Sequence, residues 1–245
     1  CGGKHSLYLG FHVIFGEGEE VLVPAPCWVS HPAMLTLAGA RPRLVRGKAE
    51  AGFKLTPAEL EAAMTPQTRA LVLNSPSNPA GVAYNPTELR DLADIIARHE
   101  LFVICDDVYE MIVYGDFVRS HILSVRPDLR ERTLIVNSVS KTYAMTGWRI
   151  GYAAGPREIV AGMSTLQGQM TSNPCSVAQV AAAAALTGPQ GQVKRMVEEF
   201  ERRRDFVVDR LNAIPGVICP QPQGAFYVFP QVEACLKPDR GIRDG

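Results

Sequence analysis

The apolar positions of this chain change period repeatedly along its length. Leu7, Phe11, Ile14 and Phe15 recur at helical spacing behind the opening Gly2-Gly3-Lys4-His5. Glu20 to Val23 reads as a strand ended by Pro24-Ala25-Pro26. Thr56-Pro57-Ala58-Glu59 has the form of a capping box with proline at the first helical position. Arg69 to Leu73 reads as a buried strand, followed by the turn-rich loop Asn74 to Gly81. Asn85-Pro86-Thr87-Glu88 opens a second capped helix, with Leu89, Leu92, Ile95 and Ile96 on its apolar face. Leu101–Ile104, Thr133–Val136 and Arg149–Ala153 read as further strands. Helices are predicted over Pro156–Met170 and Pro174–Leu186, and a charged helix over Gln190–Leu211 is long enough to bridge two domains. Gly224 to Phe229 reads as a last strand. Strands and helices alternate through residue 154, which predicts an α/β sandwich with a mostly parallel sheet.

Composition narrows the class without fixing it. The 245 residues are 47% hydrophobic, enough to bury a real core. A formal net charge of zero gives no reason to expect nucleic acid or an anionic membrane as partner. The triplet Arg202-Arg203-Arg204 sits among Glu198, Glu199, Glu201 and Asp205 and reads as a solvated, mixed-charge helix face. The six cysteines form no CxxC pair, so neither a zinc site nor a disulfide framework is expected, in keeping with a reducing, cytoplasmic setting. His5, His12, His31, His99 and His121 lack metal-ligand spacing, and no run is long and apolar enough to cross a membrane. No targeting segment is recognisable at the start. Neither a Gly-x-Ser-x-Gly nor a P-loop motif occurs, and Gly-x-Gly-x-x-Gly is absent, which argues against a dinucleotide.

The stretch with the most chemistry is Asn137 to Tyr152, NSVSKTYAMTGWRIGY. Lys141 comes just past a buried strand, where lost solvation lowers an amine's pKa and leaves it neutral and nucleophilic. Such an amine forms a Schiff base with a carbonyl. Ser138 and Arg149 offer a hydroxyl and a fork of N–H donors to a phosphate. An aldehyde and a phosphate on one ligand suggest pyridoxal 5′-phosphate. Lys141 by itself would read as a solvated loop lysine. Asp106 ends a buried strand and there needs a cationic partner, which a protonated pyridine nitrogen would supply.

Ser-x-x-Lys followed by Thr-Gly-Trp-Arg-Ile-Gly-Tyr resembles the cofactor-lysine motif of class I pyridoxal-phosphate-dependent aminotransferases, closest to the bacterial aspartate aminotransferase subgroup. The similarity runs from Gly2 to about Pro230. It implies the fold type I of pyridoxal-phosphate-dependent transferases. This is a three-layer α/β/α sandwich over residues 1–205, with the start of a small α+β domain over 206–245. It implies Lys141, Asp106 and Tyr109 as catalytic residues, Asp106 facing the ring nitrogen and Tyr109 the phenolic oxygen. Gly3, Lys4, Trp28, Asn78, Ser138 and Arg149 would complete the cofactor site. Trp28 of Pro-x-Pro-x-Trp would stack on the ring, and Asn78 would reach the phenolic oxygen. Trp28 and Asn78 would also meet the substrate. Cys27 and Ala80 depart from the family pattern at an aromatic and a threonine position, without removing a functional group. Family members are homodimers, longer at both ends, and their substrate-carboxylate arginine would fall beyond Gly245. The chain is therefore expected to be an internal piece and, alone, a poor catalyst.

The activity so implied is ping-pong exchange of an amino group between an amino acid, aspartate or glutamate first, and a 2-oxo acid. Alanine, aromatic and prephenate transamination stay open beside it. So do a carbon–sulfur β-lyase using the same cofactor and an aminotransferase-like effector domain of a transcription regulator.

Overall fold

The computed structural model describes residues 1–236. In chain order the elements are α1 (Gly3–Ile14), β1 (Glu20–Ala25), α2 (Ser30–Leu37), β2 (Arg41–Arg46), α3 (Pro57–Ala63), β3 (Thr68–Asn74), α4 (Pro86–Arg98) and β4 (Phe102–Asp106). They continue with α5 (Ile122–Val125), β5 (Thr133–Ser138), β6 (Gly151–Ala154), α6 (Arg157–Met170), α7 (Ser176–Thr187) and α8 (Gly191–Asn212).

Six strands among the described residues form one sheet in the order β2-β1-β3-β4-β5-β6. All pairs are parallel except β5 with β6. Successive side chains on a strand point to opposite faces, and here both faces are apolar. Leu22, Leu71, Leu73, Val103 and Cys105 face one core, where Leu60 of α3, Leu89, Leu92 and Ile96 of α4 and Ile122 of α5 cover them. Val21, Val23, Ala70, Val72, Ile104, Leu134 and Val136 face the other, under Leu7 and Phe11 of α1, Leu35 of α2 and Met163 of α6. The result is three layers, helix on sheet on helix.

Both predicted capping boxes form. The Thr56 and Asn85 side chains accept from the amides of Glu59 and Glu88, and the two glutamates return the bond to the cap amides. Helix α8 runs unbroken past residue 205. No described helix is long and apolar enough to cross a membrane.

The structure corrects three readings. The strand expected from Arg149 begins at Gly151, because Arg149 takes a left-handed conformation at φ 54° and closes a short 3-10 turn over Thr146–Trp148. Gly224–Phe229 is not a strand. Ala225 has φ 58°, and the segment makes an isolated β-bridge, Val113–Gly224, in place of a ladder. Arg204 is not solvated like Arg202 and Arg203, which pair with Glu199. Its guanidinium carbon lies 4.6 Å from the Tyr114 ring centre and its Nη1 donates to the Pro222 carbonyl. Residues 237–245, the last part of the expected small domain, lie outside the described residues.

Candidate active site

Five parallel strands end on the same edge of the sheet, so the loops that follow them gather residues far apart in sequence. The nine residues singled out from the sequence all line one cavity there, of about 240 Å³. Trp28 follows β1, Asn78 follows β3, Asp106 and Ser138 end β4 and β5, Tyr109 and Lys141 come just beyond them, and Gly3 and Lys4 start α1. Arg149 reaches the cavity from the turn before β6.

At one end lies an oxyanion cradle. Gly2 caps α1 without a side-chain bond to the first-turn amides. The amides of His5 and Ser6 return to the Gly2 carbonyl, so those of Gly3 and Lys4 are the orphan donors of the helix start. Gly2 sits at φ 86°, and a side chain there would meet the Arg149 guanidinium at 2.2 Å. The bare position lets Arg149 lie across the helix start, where its Nη1 also donates to the Thr146 carbonyl at 2.6 Å. Buried Ser138 completes the cradle; its Oγ accepts the Ser140 amide at 3.3 Å and keeps its own proton free to donate.

The carboxylate of Asp106 lies deeper, only 3% exposed. Its Oδ2 accepts from His31 Nε2 at 2.8 Å, while Oδ1 is buried with no hydrogen-bond partner among the described residues. An orphaned carboxylate oxygen is costly unless a donor comes to it. His31 was not singled out as a site residue from the sequence. It lies in α2, three residues past Trp28, and the Trp28 ring meets it edge-on at 5.3 Å. The Lys4 ammonium sits 4.8 Å from the Trp28 ring centre. Asn74 was missed as well. Its amide donates to the Asp106 carbonyl at 2.8 Å and its oxygen accepts the Asn78 amide at 2.8 Å, tying the Asn78 loop to the end of β4.

Lys141 is half-buried, with Nζ 5.9 Å from the Tyr109 ring centre and 5.6 Å from that of Phe226. Burial lowers its pKa below the ordinary lysine value, the nearby Arg149 charge lowers it further, and Asp106 opposes them. Burial raises the Tyr109 phenol, and the Tyr227 hydroxyl, 2.6 Å away, adds to the rise. Tyr227 is the third residue the sequence did not mark.

The donors present fit pyridoxal phosphate group by group. The cradle suits a phosphate, the free Asp106 oxygen a protonated ring nitrogen, Trp28 a flat electron-poor ring, and the low-pKa Lys141 an aldehyde. A second cluster is of another kind. Cys105, Asp107 and His121 place ligand-type atoms within 4.8 Å of one another. His121 Nδ1, however, accepts the Leu123 amide, which leaves Nε2 as the ring's N–H, 3.1 Å from Asp107 and off the line of an ideal bond. Burial also keeps the Cys105 thiol well above its usual pKa and therefore protonated. With its thiol protonated, Cys105 packs against Asp107 and His121 and offers no thiolate to a metal.

Known proteins resemble this chain over nearly its whole length. The sequence profile of "Aminotransferase class I and II" matches residues 1–237. The chain is 51% identical over 236 residues to an aspartate/prephenate aminotransferase of Cereibacter sphaeroides, covering 96% of the chain and 59% of the relative. It is 47% identical over 229 residues to an aspartate aminotransferase of Geobacillus stearothermophilus, covering 94% and 58%. The crystal structure of the aspartate aminotransferase from Rhizobium meliloti superposes with a TM-score of 0.94 at 46% identity, over 96% of this chain and 59% of that one. The chain thus spans about three-fifths of the length of the relatives it matches.

Proposed function

This chain belongs to the class I and II aminotransferase family, and from that premise we propose that it moves an amino group between an amino acid and a 2-oxo acid with pyridoxal phosphate as cofactor. Aspartate and glutamate are the proposed donors, aspartate in line with the names of the relatives. The observation that carries the reading is the placement, in one cavity, of a buried carboxylate with an unpaired oxygen and an amine of lowered pKa.

When bound, the cofactor supplies an aldehyde for the amino group and a ring that takes up the electron pair left at the amino acid's Cα. The chain's residues do the rest. Lys141 Nζ is the amine that joins the aldehyde. When free, the same nitrogen would take a proton from the substrate Cα as a base and return it as an acid. Asp106 Oδ1 holds the ring-nitrogen proton in place, and His31 fixes that carboxylate through its other oxygen. Tyr109 and Asn78 give hydrogen bonds to the phenolic oxygen. The Gly3 amide, Ser138 and Arg149 bind the phosphate. Trp28 would cover one ring face, and Lys4, whose ammonium lies 4.8 Å from the Trp28 ring centre, would add positive charge beside the cofactor.

The proposed assembly is a cytoplasmic homodimer. Helix α7 supports the dimer, since it buries only Ala178 and Ala182 while Val177 and Val180 are 68% and 72% exposed, and Trp148 is exposed nearby. Residues 1–205 form the proposed large domain and 206–245 the start of a smaller one, with α8 spanning the boundary.

The test is a half-reaction screen, following conversion of the bound aldehyde to its amine form across amino acids. Aspartate and glutamate should convert it, and Lys141→Ala should abolish both the Lys141-linked absorbance and the conversion. Conversion that survives in Lys141→Ala, or release of pyruvate and thiol from cystathionine in place of amine transfer, would overturn the reading.

A further inference from the structure

The Tyr109 hydroxyl, on which the preceding reading relies, already has a partner. Tyr227 Oη lies 2.6 Å from it, and the two rings meet edge-on at 5.6 Å. Tyr227 comes from the segment that was expected to be a strand, 118 residues further along the chain. That segment is clamped onto the sheet edge. The Gly224 amide donates to the Gly81 carbonyl at 2.9 Å, the Ala225 amide to the Ile112 carbonyl at 2.9 Å, and the Tyr114 amide to the Gln223 carbonyl at 3.0 Å. The Tyr114 hydroxyl donates to the Ala225 carbonyl. Tyr227 is therefore held between the loop that carries Asn78 and the turn that carries Tyr109.

We propose that Tyr227 is a positioning residue that donates its hydroxyl proton to Tyr109 and so turns the single Tyr109 proton toward the phenolic oxygen of the cofactor. The inference rests on the cofactor reading above. It follows from counting protons. A phenol has one hydrogen to donate and two lone pairs. Between the two protein hydroxyls alone, either can be the donor. With an anionic oxygen as third member of the row, only one order makes both hydrogen bonds, Tyr227 to Tyr109 and Tyr109 to the cofactor. If Tyr109 donated to Tyr227, the cofactor oxygen would face a lone pair. In the productive order the bond from Tyr227 polarises Tyr109 and strengthens its own donation, by on the order of 10–30% per bond in such chains.

The direction of the effect on the cofactor is fixed. A donor to the phenolic oxygen favours the form in which that oxygen is fully anionic, so it eases loss of the proton shared between oxygen and the Lys141-linked nitrogen. Weakening the donor makes that proton harder to remove.

The experiment is a pH titration of the visible absorbance of the loaded protein, in wild type, Tyr109→Phe, Tyr227→Phe and the double variant. Both replacements keep the ring, so the packing of Tyr109 on Phe226 and Tyr227 is retained. Tyr109→Phe should move the midpoint to higher pH. Tyr227→Phe should move it the same way, by roughly a tenth to a third of that shift. The double variant should titrate like Tyr109→Phe alone, because Tyr227 acts only through Tyr109. An unchanged midpoint in Tyr227→Phe, a shift to lower pH, or a Tyr227 effect that persists without the Tyr109 hydroxyl would overturn the proposal. A wild type that shows no Lys141-dependent absorbance would instead remove the cofactor reading, and this proposal with it.

Discussion

The phosphate cradle can be disturbed from behind, at a residue with no functional group. Gly151 opens β6 opposite Ser138 in the register with β5. A Cβ there would lie 2.4 Å from the Gly3 amide nitrogen, 2.5 Å from the Gly2 carbonyl carbon and 2.8 Å from the Gly3 Cα. All three are backbone atoms, so no side chain can rotate away. Ordinary contact begins near 3.4 Å, and 3.4 − 2.4 leaves about 1 Å by which the start of α1 must retreat in Gly151→Ala. That retreat draws the orphan amides away from the phosphate position beside Ser138 and Arg149. Losing one charge-assisted hydrogen bond costs roughly 1.5–3 kcal/mol, or about 10- to 150-fold in affinity for pyridoxal phosphate. Overpacking should also lower folding stability by about 1–3 kcal/mol. The assay is a titration of cofactor-free protein, read by absorbance, with phosphate-free pyridoxal in parallel. Pyridoxal, which does not use the cradle, should lose little affinity. Gly168→Ala in α6, where an added Cβ meets nothing within 4 Å, is the control and should bind normally and gain up to ~1 kcal/mol in stability. Wild-type affinity for pyridoxal phosphate in Gly151→Ala would refute the assignment of the cradle.

Three further outcomes follow from other parts of the molecule. Asn85→Ala removes the cap that accepts the Glu88 amide at 2.9 Å and should cost about 1 kcal/mol in thermal unfolding while leaving cofactor absorbance unchanged. His31→Leu strips buried Asp106 of its one side-chain hydrogen bond, at roughly 1.5–3 kcal/mol in the cofactor-free protein; part of that should return on loading, so the cofactor-induced rise in Tm should exceed that of wild type. Lys141 should react with pyridoxal at lower pH than an ordinary lysine. Because its folded pKa lies below its unfolded value of 10.5, ionisation opposes folding at low pH, and that penalty fades as pH rises through the lowered pKa toward 10.5. Arg149→Gln should shift the pH profile of this labelling upward.

What the sequence showed and what it hid have physical reasons. Segments with one strong period were legible to within a residue or two, α4 and β3 among them, because burial enforces the pattern there. The two capping boxes were legible because the cap is a local bond. Strand β2, RPRLVR, was not, since it is an edge strand with a proline and exposed arginines. Helix α2 has no side-chain cap and carries Pro32 in its first turn, so it gives no start signal. The left-handed Arg149 falsified a strand start that the apolar run beyond it suggested. In the site, motif residues could be read singly, and the cost of burying Asp106 argued for a cationic partner. The bonds that orient those residues could not be read. His31 and Asp106 are 75 positions apart, Asn74 and Asp106 are 32, and Tyr109 and Tyr227 are 118. The sheet order brings the first two pairs together, and the loop bonds that hold residues 223–225 bring the third.

The central claim is that Lys141 is the amine carrying the cofactor, and hydride reduction of the loaded protein followed by peptide mass mapping tests it most directly. The account predicts one pyridoxyl adduct, on Lys141. An adduct on Lys4 or any other lysine, with Lys141 unmodified, would contradict it.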